Sequence, residues 1–229
     1  MVLMRQMKWM KKSNLNIINV DNDTDTFNNL SGQVIINHLK QDLTINNKCN
    51  IYIIDTLCEN INFKMLDNSY LNVTIYMKNP NKDLNVNISQ CNNSALQLTI
   101  VYLCKKDLNL NVIDNIIGYN NKSKILIKAY VEKNILNILE QVNALENSKE
   151  NIAIESVKGL LDKGIIKVIP NMEIATSNVM ANHLVSMSSF NKDYLFYLAC
   201  KGINKNTAKK IIKQGFILSD LDDEIRGRI

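Results

Sequence analysis

None of the five cysteines (Cys49, Cys58, Cys91, Cys104, Cys200) stands in a C-x-x-C pair. The odd number and the wide spacing exclude a disulfide framework and a zinc knuckle. A reducing cytosol is then the expected compartment. There are seven glycines and no Asn-Gly or Asp-Gly dipeptide, so tight two-residue hairpins have no support. No apolar run approaches the roughly 18 residues of a membrane span. Residues 1–12 are basic and apolar but lead into no long apolar run, so no secretory signal is expected. Aromatics make up 6% of the chain, and the net charge is a modest +5. The lysines are scattered, with doublets only at Lys11-Lys12, Lys105-Lys106 and Lys209-Lys210. A nucleic-acid binder would concentrate its charge and add stacking rings, so none is expected as a partner. No G-x-x-x-x-G-K-[ST], G-x-S-x-G or H-E-x-x-H motif occurs. The chain is therefore not expected to hydrolyse ATP or to act as an enzyme of those classes.

What the chain has in excess is asparagine, about one residue in six, far above ordinary usage. Triplets such as Asn72-Val73-Thr74 and Asn87-Ile88-Ser89 follow from that abundance and are not read as glycosylation sites. From about residue 33, short alternating runs recur: 51–54, 61–65, 71–76, 84–88, 96–100, 108–112 and 125–130. A period of two buries one face and wets the other. Starts every 10–15 residues or so suit an all-β body, either a sandwich or a solenoid. Uniform strand lengths, asparagine-rich turns and scarce glycine favour the solenoid. Asparagine tolerates the left-handed backbone that corners need. Residues 132–150 have helical spacing at Ile135, Leu139, Val142 and Leu145, yet lie between strands. They are read as another rung with a long corner.

The chain thus divides into an N-terminal arm (1–32), a β body (33–189) and a helical segment (190–229). In the last, a helix over 193–199 follows Asn191 as N-cap and ends at Gly202. A second helix, 207–214, is capped by Asn204 or Asn206 and stopped by Gly215. Its apolar Ala208, Ile211 and Ile212 share one face. The pair is too small for a core of its own, so some apolar tail residues are expected to cover the last rung. Residues 219–229 are charged and read as frayed. His38 is expected at a surface strand end, and Glu155 and Glu173 as isolated carboxylates.

Residues 165–216 carry a further pattern. Pro170, Met172 and Ile174 are followed by Val179, Ala181 and His183. Then come Leu195-Phe196-Tyr197-Leu198, Lys201-Gly202-Ile203, Ala208 and Gly215-Phe216. This order and spacing resemble the C-terminal part of the SufB/SufD family, the paired scaffolds of SUF iron–sulfur cluster assembly. The resemblance implies a mainly β fold, a right-handed parallel β-helix followed by a short α-helical segment. Leu184 stands where SufB-type members have glutamate after the histidine, so the likeness is closer to SufD. Lys201 replaces the family arginine, no N-terminal cysteine cluster is present, and the chain is about half the usual length.

The resemblance further implies a cytoplasmic scaffold carrying an iron–sulfur cluster transiently. It would pair with a SufB-like protein or with itself and dock a SufC-type ATPase. His183 would be a cluster ligand or help iron in, with Cys200 a weaker candidate. Leu195, Phe196, Tyr197, Ile203, Ala208, Ile211, Ile212 and Phe216 would contact the ATPase. Cys49, Cys58, Cys91 and Cys104 are expected to line the solenoid interior as inert packing. The alternative is a degenerate solenoid that binds partners without metal chemistry.

Overall fold

The computed structural model describes residues 16–17, 33–36, 43–56, 58–221 and 226. Among the described residues, fourteen strands lie in two parallel sheets, alternating between them from β2 onward. One sheet holds β1 (Asn16–Ile17), β2 (Gln33–Ile36), β4 (Lys48–Ile54), β6 (Tyr70–Met77), β8 (Ala95–Cys104), β10 (Lys122–Val131), β12 (Asn151–Leu161) and β14 (Val179–Ser189) in that order. The facing sheet holds β3 (Leu43–Ile45), β5 (Asn60–Met65), β7 (Leu84–Gln90), β9 (Leu108–Ile116), β11 (Ile135–Ala144) and β13 (Ile165–Ile174). This is the expected parallel β-helix. Every alternating run read from the sequence lies inside a strand, and 135–144 is a rung. Apart from Asn16–Ile17, the expected N-terminal arm (1–32) lies outside the described residues, as does His38.

From β3 onward, alternate residues point between the sheets and stack into columns, because parallel pairing puts like on like. One column runs Ile51, Val73, Leu98, Ile125 and is fully buried. Burying each such side chain contributes about 1.5–3 kcal/mol. The turn lengthens along the chain. Gln33 pairs with Asn50, 17 positions on, whereas Lys122 pairs with Ile152, 30 positions on.

Asparagine serves two purposes. At one corner Asn68, Asn93 and Asn120 adopt φ of 60°, 53° and 53°, and each donates its backbone N–H to the next rung's corner carbonyl. On the outer face of the smaller sheet, side-chain amides form ladders. Asn85 donates to Asn60 at 2.9 Å and Asn111 to Asn85 at 2.8 Å. The sequence reading anticipated the corners and not the ladders.

The tail consists of α1 (Lys192–Cys200) and α2 (Lys205–Leu218). Asn191 caps α1, Gly202 follows it at φ +79°, and Asn204 caps α2. Gly215 does not stop α2, which runs on to Leu218. The last turn carries buried Ile217, and that packing outweighs glycine's poor helix propensity.

The tail does not cover the last rung, contrary to expectation. Ile217, Leu221, Phe190, Phe216 and Leu218 pack on the outer face of the larger sheet, against Tyr52, Tyr76, Val101, Leu103, Tyr130 and Leu160. Nor is the start of the charged terminus frayed. Lys128, buried on that face, binds Asp220 Oδ2 and Ser219 Oγ at 2.8 Å, and Leu221 is buried. Lys209 pairs with Asp162, and Lys213 lies 4.0 Å from the Tyr130 ring centroid.

Candidate functional site

The site lies where two apolar columns turn polar near the C-terminal end of the solenoid. In the larger sheet the column Ile51, Val73, Leu98, Ile125 continues into Glu155 and then His183. In the facing sheet the column Ile61, Val86, Val112 continues into Glu140 and then Pro170. Strand pitch makes both substitutions inward-facing. Glu140 is flanked along β11 by buried Ile138 and Val142, and Glu155 along β12 by buried Ala153 and Val157.

The three side chains converge. His183 Nδ1 lies 3.0 Å from Glu155 Oε2 and 3.6 Å from Glu140 Oε2. Both glutamates are fully buried, and the His183 side chain is 15% exposed. Apart from these contacts with His183, none of the four carboxylate oxygens has a hydrogen-bond partner. Burial pushes the Glu140 carboxyl up to about 8. Burial, then the charges of Glu140 and Asp114, push Glu155 up to about 9. Burial also lowers His183, while the Asn171 backbone acts in the opposite direction. The imidazole is accordingly neutral at neutral pH, a potential ligand and acceptor.

A second buried acid sits deeper. Asp114 accepts from Gln90 Nε2 at 2.8 and 2.9 Å, and both are fully buried. Burial raises Asp114 to about 6, against the lowering effect of the Gln90 hydrogen bonds and of the nearby Ser123 hydroxyl.

Glu155 is therefore not the isolated carboxylate expected, because the rung above places His183 directly over it. Glu173 is exposed, away from this group. Glu140 was missed altogether, although its signal was present: a glutamate at an inward position of a period-two run. Cys200 is exposed near the end of α1. Cys49 and Cys104 pack in the core, Cys58 lies partly buried against it, and Cys91 is half-buried. Among the described residues, Glu140, Glu155 and His183 form the one group of three or more such side chains with converging ligand atoms, and no cysteine joins it.

Among the described residues, none covers the end of the solenoid above His183. Among the described residues, β13 pairs only with β11 and β14 only with β12. Ile165, Ile169, Met180, Leu184 and Val185 are exposed there. On the tail, α1 buries no residue. Phe196 is 73% and Tyr197 59% exposed, and Leu195 is half-buried. Ile203, between the helices, is half-buried; along α2, Ala208 is buried, Ile212 and Phe216 are half-buried, and Ile211 is exposed. Among the described residues no helix is long and apolar enough to cross a membrane.

No curated protein matches this chain at a significant level. Residues 153–216, from β12 through most of α2, match the SufBD core domain of the SUF system for iron–sulfur cluster assembly.

Proposed function

We propose that this chain is a SufD-like scaffold subunit of a cytoplasmic SUF assembly complex, with the iron–sulfur cluster as its cargo. Support comes first from the match over 153–216, which spans Glu155, His183, the open rung and the exposed face of α1. The chain would pair through its last rung with a SufB-like protein or a second copy. Two unpaired strand edges flanked by exposed apolar side chains are the features of strand addition. Leu184 after His183, where a SufB-type member has glutamate, favours the SufD side. His183, the member of the buried group nearest that edge, would be a cluster ligand or help iron in.

The tail would dock the SufC-type ATPase. Phe196 and Tyr197 are large aromatic anchors of the kind that dominate interfaces. Leu195, Ile203, Ala208, Ile211, Ile212 and Phe216 would position them or line the contact. The chain supplies pairing and docking surfaces, and nucleotide hydrolysis belongs to the partner.

Co-expression with a SufC-type ATPase from the same genome tests the reading. The two proteins should co-purify, and Phe196→Asp should weaken the complex at least about tenfold while leaving the β-sheet circular dichroism unchanged. A folded wild-type chain that captures no ATPase would sink the assignment. One observation favours a metal-free interaction module instead: among the described residues no thiol approaches His183. Anaerobic reconstitution with iron and sulfide separates the two. Cluster absorption lost in His183→Ala supports the scaffold, and a colourless wild type supports the module.

A further inference from the structure

We propose that Glu140, Glu155 and His183 bind one divalent first-row transition-metal ion inside a single chain, between the last two rungs at the open end of the solenoid. This goes beyond the scaffold reading and does not need it, because all three ligands come from this chain and none is a thiol.

The geometry carries the inference. The three ligand atoms lie within 4.8 Å of one another. An ion about 2.1 Å from each donor spreads opposed ligands to about 4.2 Å. Shifts of a few tenths of an ångström would close the site. Both glutamates are fully buried, and apart from His183 their four oxygens lack any hydrogen-bond partner. That arrangement is poor for a pair of acids held by protons alone. A shared proton would draw two oxygens into a short hydrogen bond, and no oxygen here makes one. The nearby Asp114 is the internal contrast. It is equally buried, yet both its oxygens accept from Gln90. The fold satisfies a buried carboxylate one rung down and leaves the two beside His183 facing each other.

The donor set selects the occupant. Two carboxylates and an imidazole suit Fe(II), Mn(II) or Zn(II) and offer nothing to Cu(I) or a thiolate-held cluster. Calcium needs six to eight oxygens, which this apolar interior does not provide. Three protein ligands leave at least one coordination position free. His183 is the least buried of the three, so the ion would be reached past His183 from the open end.

The test uses the full chain, stripped with chelator and dialysed anaerobically against Fe(II), Zn(II) or Ca(II), with bound metal counted by mass spectrometry. A single transition ion per chain and no calcium is the expected result. Added Zn(II) should raise the melting temperature of the wild type. Glu140→Gln and Glu155→Gln keep the volume of the side chain and should each weaken binding about tenfold or more. His183→Ala should do the same. Binding well below one ion per chain, equal binding of calcium, or glutamine variants that bind like wild type would each overturn the proposal. ATPase capture is read separately on the same preparations, so loss of one property does not mimic loss of the other.

Discussion

Asp114 and Gln90 show what a buried acid costs when it is partnered. Burial raises Asp114 from an ordinary 3.8 to about 6. A carboxyl raised on folding contributes stability that is complete below its unfolded pKa and is lost as pH rises through the folded one. At neutral pH the ionised Asp114 thus works against folding, by about 3 kcal/mol at a rough 1.4 kcal/mol per unit. Asp114→Asn can still accept from Gln90 and carries no charge. The variant should melt close to wild type near pH 4 and increasingly above it towards pH 7. A melting difference that does not change with pH would refute this account. Glu140 and Glu155 lack such a partner, which sets them apart chemically. Glu140 escaped the sequence reading and Glu155 was read as isolated, both for one physical reason. The strand period made both inward-facing in principle, but which rung lies over which depends on register. With a turn that grows from 17 to 30 residues, no fixed repeat could place His183 over Glu155.

At the scale of elements, the strands were legible because period-two burial is a local property. The seven alternating runs from Ile51 to Tyr130 needed no knowledge of pairing. The tail was legible only in part. The Asn191 and Asn204 caps are local signals, whereas the docking surface of α2 depends on distant residues such as Tyr76 and Lys128. That docking rests on one buried ammonium. Burial lowers Lys128, outweighing Asp220, while the same contact lowers Asp220. Asp220→Asn leaves Lys128 buried without its counter-charge and should cost about 1–3 kcal/mol. The α2 amides should then exchange roughly ten- to a hundredfold faster, read by hydrogen exchange. Lys128→Met removes the charge itself and should restore protection in the double variant, since an apolar replacement of a buried ion pair is often neutral. Acid should mimic the single variant. A depressed carboxylate stabilises above its unfolded pKa and loses that contribution as pH falls through the folded one, so α2 should loosen below about pH 4. Unchanged α2 protection in Asp220→Asn would mean that the apolar contacts alone hold the tail.

For the molecule as a whole, what matters is which surfaces the tail leaves uncovered. The tail closes one outer face of the solenoid and leaves its last rung bare. A parallel solenoid propagates by stacking, so an uncovered rung is a template for another strand. Here β13 and β14 each present such an edge, with Ile169 and Leu184 both 61% exposed beside it. Surface this apolar at a strand edge favours association over a free monomer. The chain alone should therefore self-associate at micromolar concentration, read by sedimentation. Leu184→Lys with Ile169→Lys should shift it to monomer, because charge on an edge opposes strand addition. Neither side chain points into the buried group, so the double variant should still bind metal as wild type does. A SufB-like protein, if it is the true partner, should compete with self-association and be blocked by the same two substitutions. A wild-type chain that stays monomeric and ignores such a partner would show that the bare rung is tolerated rather than used.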